Sequence, residues 1–254
     1  MESNVQKTIL VTGASAGFGE AIARRMVAEG HRVIAAARRA DRLAALHDAL
    51  GDAVLPITLD VTDAAAVAAL PGSLPEAWQA IDVLVNNAGL ALGVASAQTA
   101  SAADWDTMIA TNVSGLVRMT HALLPGMVER DTGHIINLSS TAALYPYPGG
   151  NVYGASKAFV TQFSLNLKCD LVGTGVRITD LEPGLVGGSE FSTVRLGDAA
   201  KAAAVYAGTT PLTPQDIAEA VAWVVGLPPH MNITRMEMMP TCQSVGPFVI
   251  KRKG

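Results

Sequence analysis

Short β-branched runs alternate with longer amphipathic runs along almost the whole chain, and this alternation limits the fold more than any other feature. Strand-like runs fall at 8–12, 32–36, 53–60, 82–86, 133–139, 177–181 and 235–239. Helical periodicity fills the gaps at 17–29, 41–50, 63–70, 103–130, 153–171 and 214–225. Such β-α-β-α order points to the α/β class, a parallel sheet covered by helices on both faces. Half of the 254 residues are hydrophobic, ample for one large core. No repeat, low-complexity block or Gly-, Pro- or Ser-rich linker divides the chain, so 1–254 is read as a single domain.

The stretch 183–214 breaks the rhythm. It opens on Pro183-Gly184, contains Gly187-Gly188 and has poor periodicity. Loops of that length in compact domains tend to be lids or binding loops. Phe191, Val194, Leu196 and Val205-Tyr206 supply apolar anchors, so residues from about 185 to 213 are expected to form a mobile, partly helical lid.

Lys and Arg number 18 against 22 Asp and Glu, a formal net charge of −4, which gives no general attraction to nucleic acid or an anionic membrane. Lys251-Arg252-Lys253 reads as a solvated basic end. Cys169 and Cys242 form no CxxC, which excludes a disulfide framework or metal site as the organising principle and fits a reducing cytoplasm. The polar N-terminal stretch lacks a signal pattern, and no apolar run reaches the roughly 20 residues that span a bilayer. Two helical runs are apolar on too many sides: one with Trp105, Met108, Ile109, Val113, Leu116, Val117, Leu123 and Leu124, the other with Phe159, Phe163, Leu165, Leu167 and Leu171. A surface helix needs one apolar face, so the surplus points to a homo-oligomer, a dimer or tetramer. The alternative is deep burial within the domain.

Thr12-Gly13-Ala14-Ser15-Ala16-Gly17-Phe18-Gly19 closes the first strand and opens the first helix. Gly13 and Gly17 let backbone approach a pyrophosphate, whose charge suits the free N–H groups of a helix N-terminus. Gly19 lets the helix lie close to the sheet. A glycine trio alone is often a plain turn; strand before and helix after favour a dinucleotide. An NAD site calls for an acid at the end of the second strand, where this chain has Ala37 followed by Arg38-Arg39. Two guanidiniums suit a 2′-phosphate, so the expected cofactor is NADP. Asp60-Val61 is placed to meet adenine, with helix capping as the competing role for Asp60 and Asp63. Asn86-Asn87-Ala88-Gly89 ends the fourth strand, where Asn87 can tie loops together and Ala88-Gly89 leaves room for a ribose.

Tyr153-Gly154-Ala155-Ser156-Lys157 puts a phenol and an ammonium four apart, on one helical face. With Ser140, Asn112 and the glycine-rich turn upstream, the pair reads as the proton-transfer machinery of a nicotinamide-dependent oxidoreductase.

Together, Thr12 to Gly19, Asn86 to Gly89, Asn112, Ser140, Tyr153 to Lys157 and Pro183-Gly184 resemble the short-chain dehydrogenase/reductase family over nearly the whole chain. Gly17-Phe18-Gly19-Glu20, the stretch 86–93, the stretch 149–154, the stretch 182–188 and Met236-Glu237-Met238-Met239-Pro240 look like the NADP-dependent 3-hydroxy acid (serine) dehydrogenases within it. The resemblance implies a doubly wound Rossmann fold with a seven-stranded sheet in the order 3-2-1-4-5-6-7. It also implies Tyr153 as general acid–base, its phenolate favoured by the Lys157 ammonium, and Ser140 as hydrogen-bond partner of the reacting oxygen. Lys157 would contact the nicotinamide ribose, and Asn112 would hold a water that links Lys157 to solvent. Ser139 competes for the serine role and plain backbone capping for Asn112. Pro183, Gly184 and Val186 would border the nicotinamide, with Ser189 as an available hydroxyl where many relatives have threonine. Tyr147 and Arg195 are the expected substrate residues, Arg195 as partner of a carboxylate. The implied reaction interconverts small 3-hydroxy acids and their 3-oxo acids or semialdehydes. A broad carbonyl reductase, sulfonated aldehydes included, and a non-catalytic NADPH-binding regulator are the alternatives.

Overall fold

The computed structural model describes residues 5–246 and Ile250, so the basic end Lys251-Arg252-Lys253 and residues 1–4 lie outside the described residues. Seven parallel strands form one sheet in the order β3-β2-β1-β4-β5-β6-β7. They are β1 (Thr8–Thr12), β2 (Arg32–Ala37), β3 (Val54–Thr58), β4 (Val83–Asn86), β5 (Gly133–Leu138), β6 (Val176–Pro183) and β7 (Arg235–Met238). The connecting helices are α1 (Gly17–Ala28), α2 (Ala40–Leu50), α3 (Ala64–Ser73), α4 (Ala102–Ile109), α5 (Leu116–Glu129), α6 (Asn151–Asp170), α7 (Phe191–Leu196), α8 (Ala199–Tyr206) and α9 (Pro214–Val225). No helix among the described residues is long and apolar enough to cross a membrane.

The central strands are buried along their whole length because both faces of the sheet are covered. Along β1, Ile9 and Val11 pack with Ile22 and Met26 of α1, Leu43 and Leu46 of α2, and Ile217 and Val221 of α9. Leu10, between them, points the other way and packs with Leu70 of α3, Met119 and Met127 of α5, and Leu167 of α6. Each such burial contributes about 1.5–3 kcal/mol, against about 1 kcal/mol for a helix cap. Helix α1 can therefore stand without a capping side chain: Ala16 precedes it in extended conformation and makes no cap bond.

The strand order places β2 and β4 on opposite sides of β1. The loops that leave β1 and β4 diverge, which opens a crevice at the carboxyl ends of the strands. Asn87 and Thr12 hold its two sides together. The Thr12 hydroxyl accepts from the backbone N–H of Asn87 at 3.0 Å and of Ala88 at 2.9 Å. The Asn87 amide in turn donates to the carbonyl of Thr12 at 2.8 Å.

Local departures from the sequence reading have physical causes. The run 103–130 is α4 and α5 joined by a π turn, Ala110–Gly115, that buries Asn112 and Gly115. Gly115 lies against Val61, where a Cβ would stand 2.7 Å from a Val61 methyl, so the wide turn fits the helix to the neighbouring loop. Helix α3 runs past the expected end at 70 to Ser73, with Pro71 in its last turn, where few intrahelical bonds remain to be lost. Strand β3 covers 54–58 and not 53–60; at its start Gly51–Ala53 winds into a 3₁₀ turn. Strand β6 extends to Pro183, two residues beyond the expected end.

Between β6 and α9 the chain leaves the sheet and returns. Its root is a short neck in which Gly187 donates to the Leu212 carbonyl at 2.8 Å and Leu212 to that of Leu185 at 3.0 Å. Helices α7 and α8 sit beyond that neck, where one lid segment was expected.

Candidate active site

The crevice is a cleft of about 380 Å³. Gly13 and Gly17 adopt φ +68° and +56°, conformations that favour glycine, and bend the turn so that Ser15, Ala16 and Gly17 border the cleft. The uncapped start of α1 presents its first N–H groups there. Gly19 lies beneath the turn: a Cβ would stand 2.3 Å from the Gly13 carbonyl oxygen, so no other residue permits this approach. Uncapped donors beside two such glycines fit a diphosphate.

Of the expected cofactor residues, Gly13, Ser15, Gly17, Phe18, Arg38, Arg39, Asp60, Val61, Asn87, Ala88, Gly89, Tyr153 and Lys157 line the cleft, and Gly19, Pro183, Gly184 and Val186 do not. The Pro183 carbonyl reaches the site indirectly, as acceptor for the Ser140 hydroxyl at 3.3 Å. Val186 is part of the neck, paired with Leu212. Arg39 donates from Nε to the Ser15 hydroxyl at 3.1 Å. Asp63, not Asp60, caps α3, accepting from the N–H groups of Ala65 and Ala66. Asp60 takes the backbone and hydroxyl of Thr62 on one oxygen, which holds its carboxyl below the usual range, with the Arg38 guanidinium adding to the effect.

At the inner end, α6 carries Tyr153, Ser156, Lys157, Thr161 and Ser164, all buried. Ser140 begins the turn after β5 and hydrogen-bonds the Tyr153 hydroxyl. The Ser139 hydroxyl is turned to α6, 2.9 Å from the Lys157 carbonyl and 3.0 Å from the Thr161 hydroxyl, which leaves Ser140 as the serine beside the phenol. Asn112 clamps the loop after β4: its carbonyl oxygen accepts from the N–H of Leu90, and its amide donates to the Leu90 carbonyl and the Ser156 hydroxyl. Both amide hydrogens are thereby occupied, so the side chain is not free to donate to a water beside Lys157.

Burial governs the protonation of the pair. It pushes the Tyr153 phenol up to about 12, against the hydrogen bond with Ser140 and the nearby Arg195 charge. It pushes the Lys157 ammonium down to about 8, opposed by the negative charge of Asp180. The Lys157 ammonium donates to the Leu138 carbonyl at 2.7 Å and lies 5.9 Å from the centre of the Tyr153 ring. In the free protein the groups that lower the phenol are Ser140 and Arg195, with no contribution from Lys157, and burial outweighs both.

Two acids under α6 escaped the sequence reading. Asp180 and Glu182 are fully buried on the face of β6 that meets α6. Glu182 accepts from the Thr161 hydroxyl at 3.0 Å and pairs with Arg235 at 2.7 Å. Neither oxygen of Asp180 has a well-formed hydrogen bond among the described residues, and its carboxyl is raised by burial first and by Glu182. The signal was present: charge inside an otherwise apolar parallel strand is out of place unless it is paired.

Helix α7 covers the cleft. Ser189, Glu190, Phe191 and Val194 all line it. The Phe191 ring stands 5.8 Å from that of Tyr153. Arg195 donates to the Tyr147 hydroxyl at 2.8 Å and to the Gly93 carbonyl at 3.2 Å. Its guanidinium lies 5.4 Å from the centre of the Tyr153 ring. Both expected substrate residues therefore meet at the phenol. Glu190 had no sequence signal and Val194 was expected only as an apolar anchor of the lid, because local periodicity does not record which cleft a loop folds over.

The short chain dehydrogenase family profile matches residues 7–196. The chain belongs to this family. An NADP-dependent 3-hydroxy acid dehydrogenase of Salmonella typhimurium is 62% identical over 96% of this chain and 99% of its own length. A serine 3-dehydrogenase of Rhizobium radiobacter is 50% identical over 97% of this chain and 98% of its own. A solved closed form of serine dehydrogenase complexed with NADP+ superposes with a TM-score of 0.93 at 59% identity, over 97% of this chain and all of the other. A solved serine dehydrogenase from Escherichia coli gives 0.83 at 56%, over 93% and 99%.

For this family member the buried lysine carries a stability consequence. Its folded value near 8 lies below the ordinary 10.5, so the unfolded chain binds more protons between the two and stability rises with pH across that window. Below it the folded state carries the whole penalty, about 3 kcal/mol. Lys157→Met should therefore raise the unfolding free energy at pH 7 by up to about 3 kcal/mol. Urea unfolding at pH 7 checks this, and a less stable variant would contradict it.

Proposed function

We propose that the protein interconverts small 3-hydroxy acids and their 3-oxo acids, with NADP as hydride carrier and Tyr153 as the general acid–base. One observation carries the reading: the buried Tyr153 meets Ser140 through its hydroxyl and the Arg195 guanidinium across its ring, at the inner end of a cleft whose outer end holds Arg38 and Arg39. The relatives named for NADP and for 3-hydroxy acids or serine support both halves.

The nicotinamide, when bound, supplies or accepts the hydride. Gly13, Gly17 and the start of α1 hold the diphosphate, Arg38 and Arg39 the 2′-phosphate, and Ala88-Gly89 leave space for a ribose. In reduction, Tyr153 gives its proton to the carbonyl oxygen; a phenol near 12 is fully protonated at neutral pH and ready to donate. In oxidation it takes the alcohol proton, which requires Lys157 to stabilise the phenolate. Ser140 steadies the same oxygen: its donated bond to Pro183 is long at 3.3 Å and readily redirected. With its side chain committed to Leu90 and Ser156, Asn112 serves Lys157 through the backbone of the π turn. Residues 188–211 act as the lid, on the neck at Leu185 and Leu212.

Arg195 stands where a substrate carboxylate would pair with a guanidinium while its hydroxyl reached Tyr153. Tyr147 orients that guanidinium.

The same reading includes a homo-oligomer, dimer or tetramer, in the cytoplasm. Ile109 and Phe159 remain 44% and 40% exposed on adjacent helices, with Phe159 stacked on Phe163. Sedimentation at micromolar concentration should show a dimer or tetramer, and a monomer would remove the proposal. Both cysteines are free thiols, as a reducing compartment allows.

One kinetic experiment tests the chemistry. Tyr153→Phe should lose about 10²–10⁴ in turnover while NADPH still binds. In parallel, Arg195→Ala should raise KM for a 3-hydroxy acid by about tenfold or more and leave an uncharged ketone unaffected. Unchanged turnover in the first, or an unchanged KM in the second, would contradict the corresponding role.

A further inference from the structure

The helix that covers the cleft is tied down at both ends by charge. Glu190, the residue before α7, pairs with Arg39 at 2.9 Å, and its second oxygen lies 3.9 Å from Arg42. Arg39 is the same guanidinium whose Nε donates to Ser15 in the turn before α1. At the far end of α7, Arg195 bonds Tyr147 and Gly93. Six residues of helix thus join the outer end of the cleft to the inner one.

A carboxylate on Arg39 is chemically close to what that arginine would meet in NADP. A 2′-phosphate is an anion with several acceptor oxygens, and Arg39, with one arm on Glu190 and Nε on Ser15, has little left for another anion. The two anions also repel at contact distance. We infer that Glu190 is a specificity-determining residue: it holds one arm of the Arg39 guanidinium in the free protein, and the 2′-phosphate of NADP must displace it, whereas NAD leaves the pair in place.

This inference rests on the NADP reading above and adds to it. Arg39 then has two alternative partners, the lid or the cofactor. The sequence feature that selects NADP, the arginine pair after Ala37, is also the feature that holds the lid in the cofactor's absence. Release of Glu190 leaves α7 anchored at the Arg195 end, beside Tyr153.

The magnitude is bounded by exposure. Arg39 and Glu190 side chains are 42% and 49% exposed, and half-exposed pairs are worth at most about fivefold in an equilibrium. Loss of the competitor should therefore tighten NADPH by about two- to fivefold.

The test is a fluorescence titration of wild type and Glu190→Gln with NADPH and with NADH. The substitution keeps size, removes one charge at a half-exposed position and leaves the core untouched. The expected result is tighter NADPH and unchanged NADH in the variant. Glu190→Ala should show the same NADPH gain, since the effect comes from loss of charge. NADPH binding that weakens or stays the same in the variants, with wild type binding NADPH normally, overturns the competition and leaves the NADP reading intact. An equal gain for NADH and NADPH also overturns it, because the effect would then not involve the 2′-phosphate. Wild type that binds NADH better than NADPH overturns both.

Discussion

Lys157 holds its ammonium where water scarcely reaches, with the Leu138 carbonyl as its direct hydrogen-bond partner. Most of the site follows from the effort to keep it there. Ser139 ties the lysine's own turn of α6 to Thr161, Thr161 passes the connection to Glu182, and Arg235 on β7 closes it. Asp180 supplies negative charge from below. The arrangement spends stability on a charge that a merely structural helix would avoid, which is the signature of a site kept for chemistry.

The same desolvation acts on Tyr153 with the opposite result. A buried phenol is held in its neutral form and a buried ammonium is pressed toward its neutral form, so the free protein keeps both groups from the charged pair that oxidation needs. In the proposed reaction the positive charge of the oxidised nicotinamide would have to reverse that balance. Helix α7 makes the change local, because Phe191 and Arg195 shut the phenol off from solvent and Glu190 reaches back to the arginines at the other end of the cleft.

Much of this was legible in the residues. The β-α alternation gave the layered architecture, and the family likeness gave the strand order, because both depend on patterns spread over the whole chain. The separation of Tyr153 from Lys157 placed them on one face, and the spacing back to Ser140 chose it over Ser139, whose hydroxyl the structure turns to α6. What stayed hidden was tertiary. The π turn at Asn112 answers contact with Val61 and Leu90 and leaves no trace in helical periodicity. Arg195 could be named from its charge, but its place against Tyr147 depends on how the excursion folds back. Glu190 looked like one more surface acid until α7 brought it to Arg39. Asp180 was visible as a charge in an expected strand and Glu182 lay just past that strand's expected end, and their role became clear only when α6 was laid over them.

The central claim is that burial sets the protonation of Tyr153 in the free protein and that cofactor charge overrides it. Ultraviolet titration of phenolate, wild type minus Tyr153→Phe, reads this group alone. Without nucleotide its ionisation should appear only toward pH about 12. With saturating NADP+ it should move down by about 1–3 pH units. A midpoint near the ordinary tyrosine value in the free protein, or one that NADP+ leaves unmoved, would contradict the account.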